Sequence, residues 1–244
     1  MKTTTSKLQN SYLNETRDSN DILSSFDFSG IAEKDPSLSQ GHRKVYDCEV
    51  PFEIRNEEDN GPQQALSLEA IRCKILIGGD ISNPLQIRLE LSCESDLFFH
   101  YSCDVDEETF KLMQETQKIN ANYREFSNFV KKLLDYCIND PQTYTAVFII
   151  NKEGSGRLNF IQNIEYKLIE LLSIDFVTSP DETIKKHISY RFNEVRTKLE
   201  IVKNRIKTIT NIVKDKNPSL LLQIQKAPAK LNNNILNGNF TMEK

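Results

Sequence analysis

Through the first half of the chain, apolar and polar residues alternate in runs that end at turn-forming residues. Tyr46, Cys48, Val50, Phe52 and Ile54 alternate with Asp47, Glu49, Pro51 and Glu53, the period-two pattern of a half-buried strand. Pro51 has no N–H to donate, so this strand is expected at a sheet edge or at a bulge. Residues 56–62 read as a polar turn. Ile71, Cys73, Ile75 and Ile77 then alternate with Arg72 and Lys74 until Gly78-Gly79-Asp80 stops the run. Leu85, Ile87, Leu89, Leu91 and Cys93 alternate with Gln86, Arg88, Glu90 and Ser92, and after Asp96 an aromatic-rich strand is expected over 97–105.

The period then changes. Asp106 is placed to cap a helix that carries Phe110 and Met113 and ends before Ile119. Asn122, with Glu125 three residues on, has the form of a capping box. Behind it Tyr123, Phe126, Phe129, Val130, Leu133, Leu134 and Cys137 trace one helical face. Asp140-Pro141 ends that helix, because the residue before a proline is pushed out of helical geometry. Strand patterns return at 144–150, 157–164 and 167–177, the first two joined by Gly154-Ser155-Gly156. This order predicts an α+β protein: a seven-stranded antiparallel β-rich head with two short helices packed on it, followed by a long C-terminal helix.

That last helix starts at Ser179-Pro180-Asp181-Glu182, with serine at the N-cap, proline at N1 and glutamate at N3. Ile188, Phe192, Val195, Leu199, Val202, Ile206, Ile209 and Val213 follow at alternating spacings of four and three, the heptad seam of a coiled coil. Arg191, Lys198 and Arg205 flank it at g, and Arg196, Lys203 and Thr210 at e. In a parallel homodimer Arg191 would face Arg196 and Lys198 would face Lys203, so pairing is expected to be weak, promoted by salt, or completed by an acidic partner. Residues 1–43, rich in Ser, Thr, Asn and Asp, read as a disordered tail, 44–178 as the head, 179–216 as the helix with its short coiled coil, and 217–244 as a flexible tail. Phe26-Asp27-Phe28 is a weak candidate docking motif, and the sequons at Asn14 and Asn239 carry no meaning without a secretory route.

Composition narrows the function. Of 244 residues, 31 are Lys or Arg and 35 are Asp or Glu, a net charge of −4, so bulk charge does not draw this chain to nucleic acid. No apolar run approaches the ~18 residues of a membrane span. Residues 1–5 lack the apolar core of a signal peptide, and a cytoplasmic protein with no membrane partner is expected. Cys48, Cys73, Cys93, Cys103 and Cys137 form no CxxC pair. Four of them fall on the apolar phase of strands and read as core thiols in a reducing compartment. His42, His100 and His187 lie in a tail, a strand and a helix, Gly154-Ser155-Gly156 lacks the lysine of a phosphate loop, and the acidic run Asp104, Asp106, Glu107 and Glu108 reads as a solvated helix start. No catalytic residue, cofactor or metal ligand is assigned, and a non-enzymatic scaffold is expected.

One segment is more specific. Asp96-Leu97-Phe98-Phe99-His100-Tyr101-Ser102, followed by Phe110, Gln117, Ile119, Tyr123, Phe126 and Leu133-Leu134, resembles the signature in the head of the centriolar cartwheel protein family, spindle assembly abnormal protein six. The likeness continues through the hairpin at 158–174 and the helix start at 181–188, and covers about residues 44–210. It implies homodimers joined by a parallel coiled coil, with weaker head–head contacts. Alternating the two closes a ninefold ring, the hub from which centrioles and basal bodies are templated. The implied partners are further copies of the chain and other centriolar or cytoskeletal proteins, and the implied location is the centriole or basal body.

The same resemblance implies that the loop between the last two strands inserts a large side chain into a partner's pocket. Aligning 157–161 and 168–171 on that hairpin puts Tyr166 there, with Ile164 as the alternative if the turn is shifted. Asn122 stands where the family commonly has Asp, Tyr123 where it has Phe and Ser127 where it has Pro. The added hydroxyl of Tyr123 must find a partner or stay in water, which is expected to weaken a buried insertion. The heptads stop near Val213, and at ~1.5 Å per residue the helix from Asp181 to Lys214 spans only about 50 Å. Short "six-like" paralogues of apical, flagellar or basal-body structures share that brevity, and DNA end-joining scaffolds share the architecture of head plus coiled coil.

Overall fold

The computed structural model describes residues 28–57 and 68–219, together with Leu222. The sequons, Phe26, Asp27, most of the turn expected at 56–62 and nearly all of the tail expected from 217 onward lie outside the described residues. Seven strands follow in order: β1 (Arg43–Asn56), β2 (Leu68–Gly79), β3 (Pro84–Cys93), β4 (His100–Val105), β5 (Tyr144–Ile150), β6 (Gly156–Ile164) and β7 (Lys167–Thr178). Two helices, α1 (Glu107–Gln117) and α2 (Tyr123–Asn139), separate β4 from β5, and α3 (Asp181–Lys216) follows β7. Residues 29–194 form one compact unit, and the helical residues from Val195 onward belong to another.

The strands close into a barrel in the order β1-β2-β3-β4-β7-β6-β5. Neighbours are antiparallel except at one seam, where β1 and β5 run parallel from Phe52↔Ala146 to Asn56↔Ile150. This corrects the expected all-antiparallel sheet. Pro51 keeps the edge position expected of it, because β5 pairs only with the end of β1. Pro51 lies opposite Ala70 and one residue before the β5 ladder begins, and the same strand carries an irregularity at Lys44/Tyr46. The missing N–H is tolerated there because β5 has not yet joined.

Inward alternate residues of all seven strands meet the buried faces of α1 and α2, so one core holds Val50, Phe52, Ile75, Leu89, Phe110, Phe126, Leu133, Phe148, Phe160 and Phe176. Phe148 makes edge contacts with Phe99, Tyr101 and Phe176. Gly156 lies against it so closely that a Cβ there would stand 2.2 Å from the Phe148 ring. Asp106 caps α1 by accepting from the Thr109 N–H at 2.8 Å. At the start of α2 the expected box is present: the Glu125 carboxylate accepts from the Asn122 N–H at 3.2 Å, and the Asn122 side chain accepts from the Glu125 N–H.

Several positions depart from the alternation. Leu85 is 73% exposed, although it shares the phase of Ile87, Leu89 and Leu91. The ladder steps from Gly78↔Gln86 to Gly79↔Pro84, which leaves Leu85 as the extra residue of a bulge and turns it out of the barrel. The aromatic strand begins at His100, not at residue 97, because Asp96 folds 96–99 into a turn: its side chain accepts from the Phe98 N–H and its carbonyl from the Phe99 N–H. Cys48 is exposed, so one of the four strand thiols is not a core residue, while the half-buried Cys103 packs against the core's edge.

The expected tail also needs correction. Residues 29–32 form a single helical turn and 36–41 a 3-10 segment. Asp35, Ser37 and His42 are buried. No apolar pattern marks this stretch, because polar bonds hold it. Lys74 of β2 donates to Asp35 Oδ2 at 2.7 Å and to Ser37 Oγ at 2.9 Å, and Ser37 in turn donates to Glu90 Oε2 of β3 at 2.6 Å.

Candidate functional site

The hairpin of β6 and β7 pairs Ile164 with Lys167, which leaves Glu165 and Tyr166 as a two-residue loop. The β5 ladder ends at Tyr144↔Gln162, so the tip runs past the strand beside it. Tyr166 is 96% exposed, and Ile164 and Leu168 are also exposed. A phenol at the end of a paired hairpin, with no packing on its own compact unit, presents a rigid aromatic surface at little cost in side-chain entropy.

The second apolar surface lies on α3. Phe192, Val195, Leu199, Ile206 and Ile209 are exposed, and Ile188, Val202 and Val213 are half-buried. An apolar stripe of this extent along one face of a helix is the kind of surface that a partner covers.

A different stripe of the same helix packs on the barrel. Ile184 and His187 are buried, and the Arg191 guanidinium donates to Cys93 O at 2.8 Å and to Leu97 O at 3.1 Å. This stripe of Ile184, His187 and Arg191 was legible as spacings of three and four, but the stronger heptad pattern masked it. It also corrects the charge expectation: Arg191 is drawn onto the loop before β4 and is not a free cation facing Arg196. Ser179 likewise does not cap α3 with its hydroxyl, which is engaged instead by His100 Nδ1 at 2.8 Å and Ser102 Oγ at 3.4 Å. The His100 and His187 rings meet tilted at 42°, with centroids 4.2 Å apart. Burial, with His187 alongside, lowers His100 to about 3, and burial lowers His187 to about 4.

The aromatic signature serves the core. Phe99, Tyr101, Phe110, Tyr123 and Phe126 are buried, whereas Phe98 is 72% exposed on the 96–99 turn. The Tyr123 hydroxyl, a point of doubt in the sequence, donates to Val105 O at 2.9 Å and so is satisfied inside the fold. Gln117 bonds to the backbone of Ser173 in β7.

Comparison with known proteins follows the same lines. Residues 44–176 match the family model described as the centriolar protein SAS N-terminal domain. The chain is 23% identical over 158 residues to the spindle assembly abnormal protein 6 homolog of Gallus gallus, a match that takes in 59% of this chain and 23% of that protein. The corresponding protein of Danio rerio is 21% identical over 127 residues, 49% of this chain and 20% of its own length. The chain therefore spans less than a quarter of the curated relatives it matches. Among solved structures, an N-terminal fragment of Leishmania SAS-6 containing parts of its coiled-coil domain aligns with TM-score 0.61 and 15% identity, covering 74% of this chain and 99% of that one. An N-terminal fragment of Drosophila melanogaster Sas-6, dimerised through its coiled-coil domain, aligns with TM-score 0.60 and 14% identity over 79% of this chain and 95% of that one.

Proposed function

The chain belongs to the family of the centriolar protein SAS N-terminal domain, and on that footing we propose that it is a structural, self-assembling scaffold of cartwheel type rather than an enzyme. Its copies associate by two kinds of contact. One is a head–head contact in which Tyr166, with Ile164 beside it, enters a partner's apolar pocket. The other is a parallel helix pair along Ile188, Phe192, Val195, Leu199, Val202, Ile206, Ile209 and Val213. Such a scaffold would act at the centriole or basal body, with further copies of itself and other centriolar or cytoskeletal proteins as partners.

The observation that carries this reading is Tyr166, 96% exposed at the tip of a two-residue hairpin loop. An aromatic side chain held away from its own core is the residue type that dominates small interfaces. The helix seam supports it independently, since its exposed stripe keeps a two-position repeat over several heptads. The alternatives of a short apical or flagellar paralogue and of a DNA end-joining scaffold are not favoured, because the matched relatives are spindle assembly homologues.

Sedimentation equilibrium over a wide concentration range tests the helix contact. The native chain is expected to shift from monomer to dimer and beyond, and Leu199→Asp to remove the helix-mediated step while the far-ultraviolet spectrum is kept. A strictly monomeric native chain at the highest concentrations would contradict the scaffold reading.

A further inference from the structure

The outer face of β3 and β4 is covered by the 36–41 segment and the first turns of α3, and three ligating side chains meet beneath that cover. Glu90 pairs opposite Ser102, and His100 opposite Ser92, so Glu90 and His100 are diagonal neighbours on the face turned away from the core. His187 reaches the same point from α3. All three are buried, and one ligand atom from each lies within 4.8 Å of the other two. We infer that Glu90, His100 and His187 form a binding site for one divalent zinc ion, which clamps the first turns of α3 to the barrel.

The surrounding bonds prepare the donors. His100 Nδ1 is held by Ser179 Oγ at 2.8 Å, which fixes the ring and leaves Nε2 for an ion. Glu90 Oε2 accepts from Ser37 at 2.6 Å, which leaves Oε1. The imidazole of His187 is only 6% exposed and makes no hydrogen bond to any described residue. Its ring faces the cleft, where an ion can reach it; among the described residues the one fully buried side-chain nitrogen without a partner is Arg191 Nε.

The three side chains line a cleft of about 510 Å³ that also touches Pro36, Ser102 and Thr183, which gives an ion a route in and room for a fourth, water ligand. Two nitrogens and one carboxylate oxygen with an open position suit zinc. Ligand atoms about 3.4 Å apart are needed when each bond is about 2.1 Å, so closing from the present spacing requires side-chain rotations of about an ångström. Lys74 and Arg191 are the opposing cations. Lys74 is engaged by Asp35 at 2.7 Å, and Arg191 directs Nη1 and Nη2 to the carbonyls of Cys93 and Leu97, while its Nε is buried without a partner among the described residues.

The test uses the full, untagged chain stripped of metal and titrated with zinc chloride by calorimetry, with cobalt(II) as a visible-absorption probe and magnesium as a control. The expected result is one equivalent of zinc, a raised melting temperature, tetrahedral cobalt bands in the native chain, and no response to magnesium. His187→Ala and Glu90→Gln should each weaken zinc at least about tenfold, as loss of a ligand must exceed the 10–100-fold cost of losing an outer-shell partner. No saturable equivalent and no cobalt bands in the native chain, or a His187→Ala chain that binds zinc as tightly as the native one, would overturn the site. None of these readouts depends on self-association, so the outcome stands apart from the scaffold reading.

Discussion

The carboxamide of Gln117 bonds to Ser173 as a neighbouring strand would: Nε2 donates to Ser173 O at 2.7 Å, and Oε1 accepts from Ser173 N–H at 2.8 Å. The reason lies in the barrel's shortest seam. β4 and β7 pair only at Tyr101↔Thr178 and Ser102↔Val177, so Ser173 has no strand opposite its free edge. The end of α1 supplies the substitute. Gln117→Ala leaves one backbone donor and one acceptor without partners and is expected to cost about 2 kcal/mol, from ~1–3 kcal/mol for each buried group left unsatisfied, reduced by partial solvent access. Urea denaturation of native and variant chains measures it, with the slope unchanged.

The Tyr123 hydroxyl donates to Val105 O across the gap between α2 and the end of β4. Tyr123→Phe should lower stability by about 1 kcal/mol, the net worth of one such bond. Tyr123→Ala should cost about 3–5 kcal/mol, since a buried ring is lost as well. Thermal melts of the two variants separate the bond from the packing.

Acid should destabilise the junction of β1 and β2 through Asp47. Burial raises this carboxyl, but bonds from Arg72 at 2.7 and 3.0 Å and from Lys44 at 2.6 Å outweigh it and hold it at about 2. A carboxyl depressed in the folded state stabilises the fold above its unfolded value of about 3.9, and that contribution is lost as pH falls from there toward 2. Its size is on the order of 2 kcal/mol. Asp47→Asn should lower stability at neutral pH and flatten the dependence between pH 5 and 2, as followed by denaturant melts at each pH.

Much of this fold was legible because most strands have one face on a single core, and that arrangement writes itself into the chain as alternation. The two capping aspartate and asparagine positions, the proline that ends α2 and the heptad stripe of α3 were legible for equally local reasons. What stayed hidden was not local. The parallel pairing of β1 with β5 leaves no trace in either strand's own pattern. The bulge at Leu85 keeps the apolar residue but turns it outward. Asp35 and Ser37 are fixed by Lys74 and Glu90, four polar residues whose burial no hydropathy pattern can report. His100 and His187 meet only because a second, weaker stripe of α3 lies on the barrel. Tyr166 was reached through the family's hairpin and not through its own chemistry; alone, its residue type is equally that of a core filler.

The central claim is that Tyr166 anchors association between heads. It is tested most directly by measuring the concentration-dependent mass of the full chain carrying Tyr166→Glu beside the native chain, in a background where Leu199→Asp has removed helix pairing. The account predicts that the Leu199→Asp chain still associates weakly at high concentration, and that adding Tyr166→Glu leaves a folded monomer with an unchanged melting temperature. Association that persists undiminished with glutamate at position 166 would contradict it.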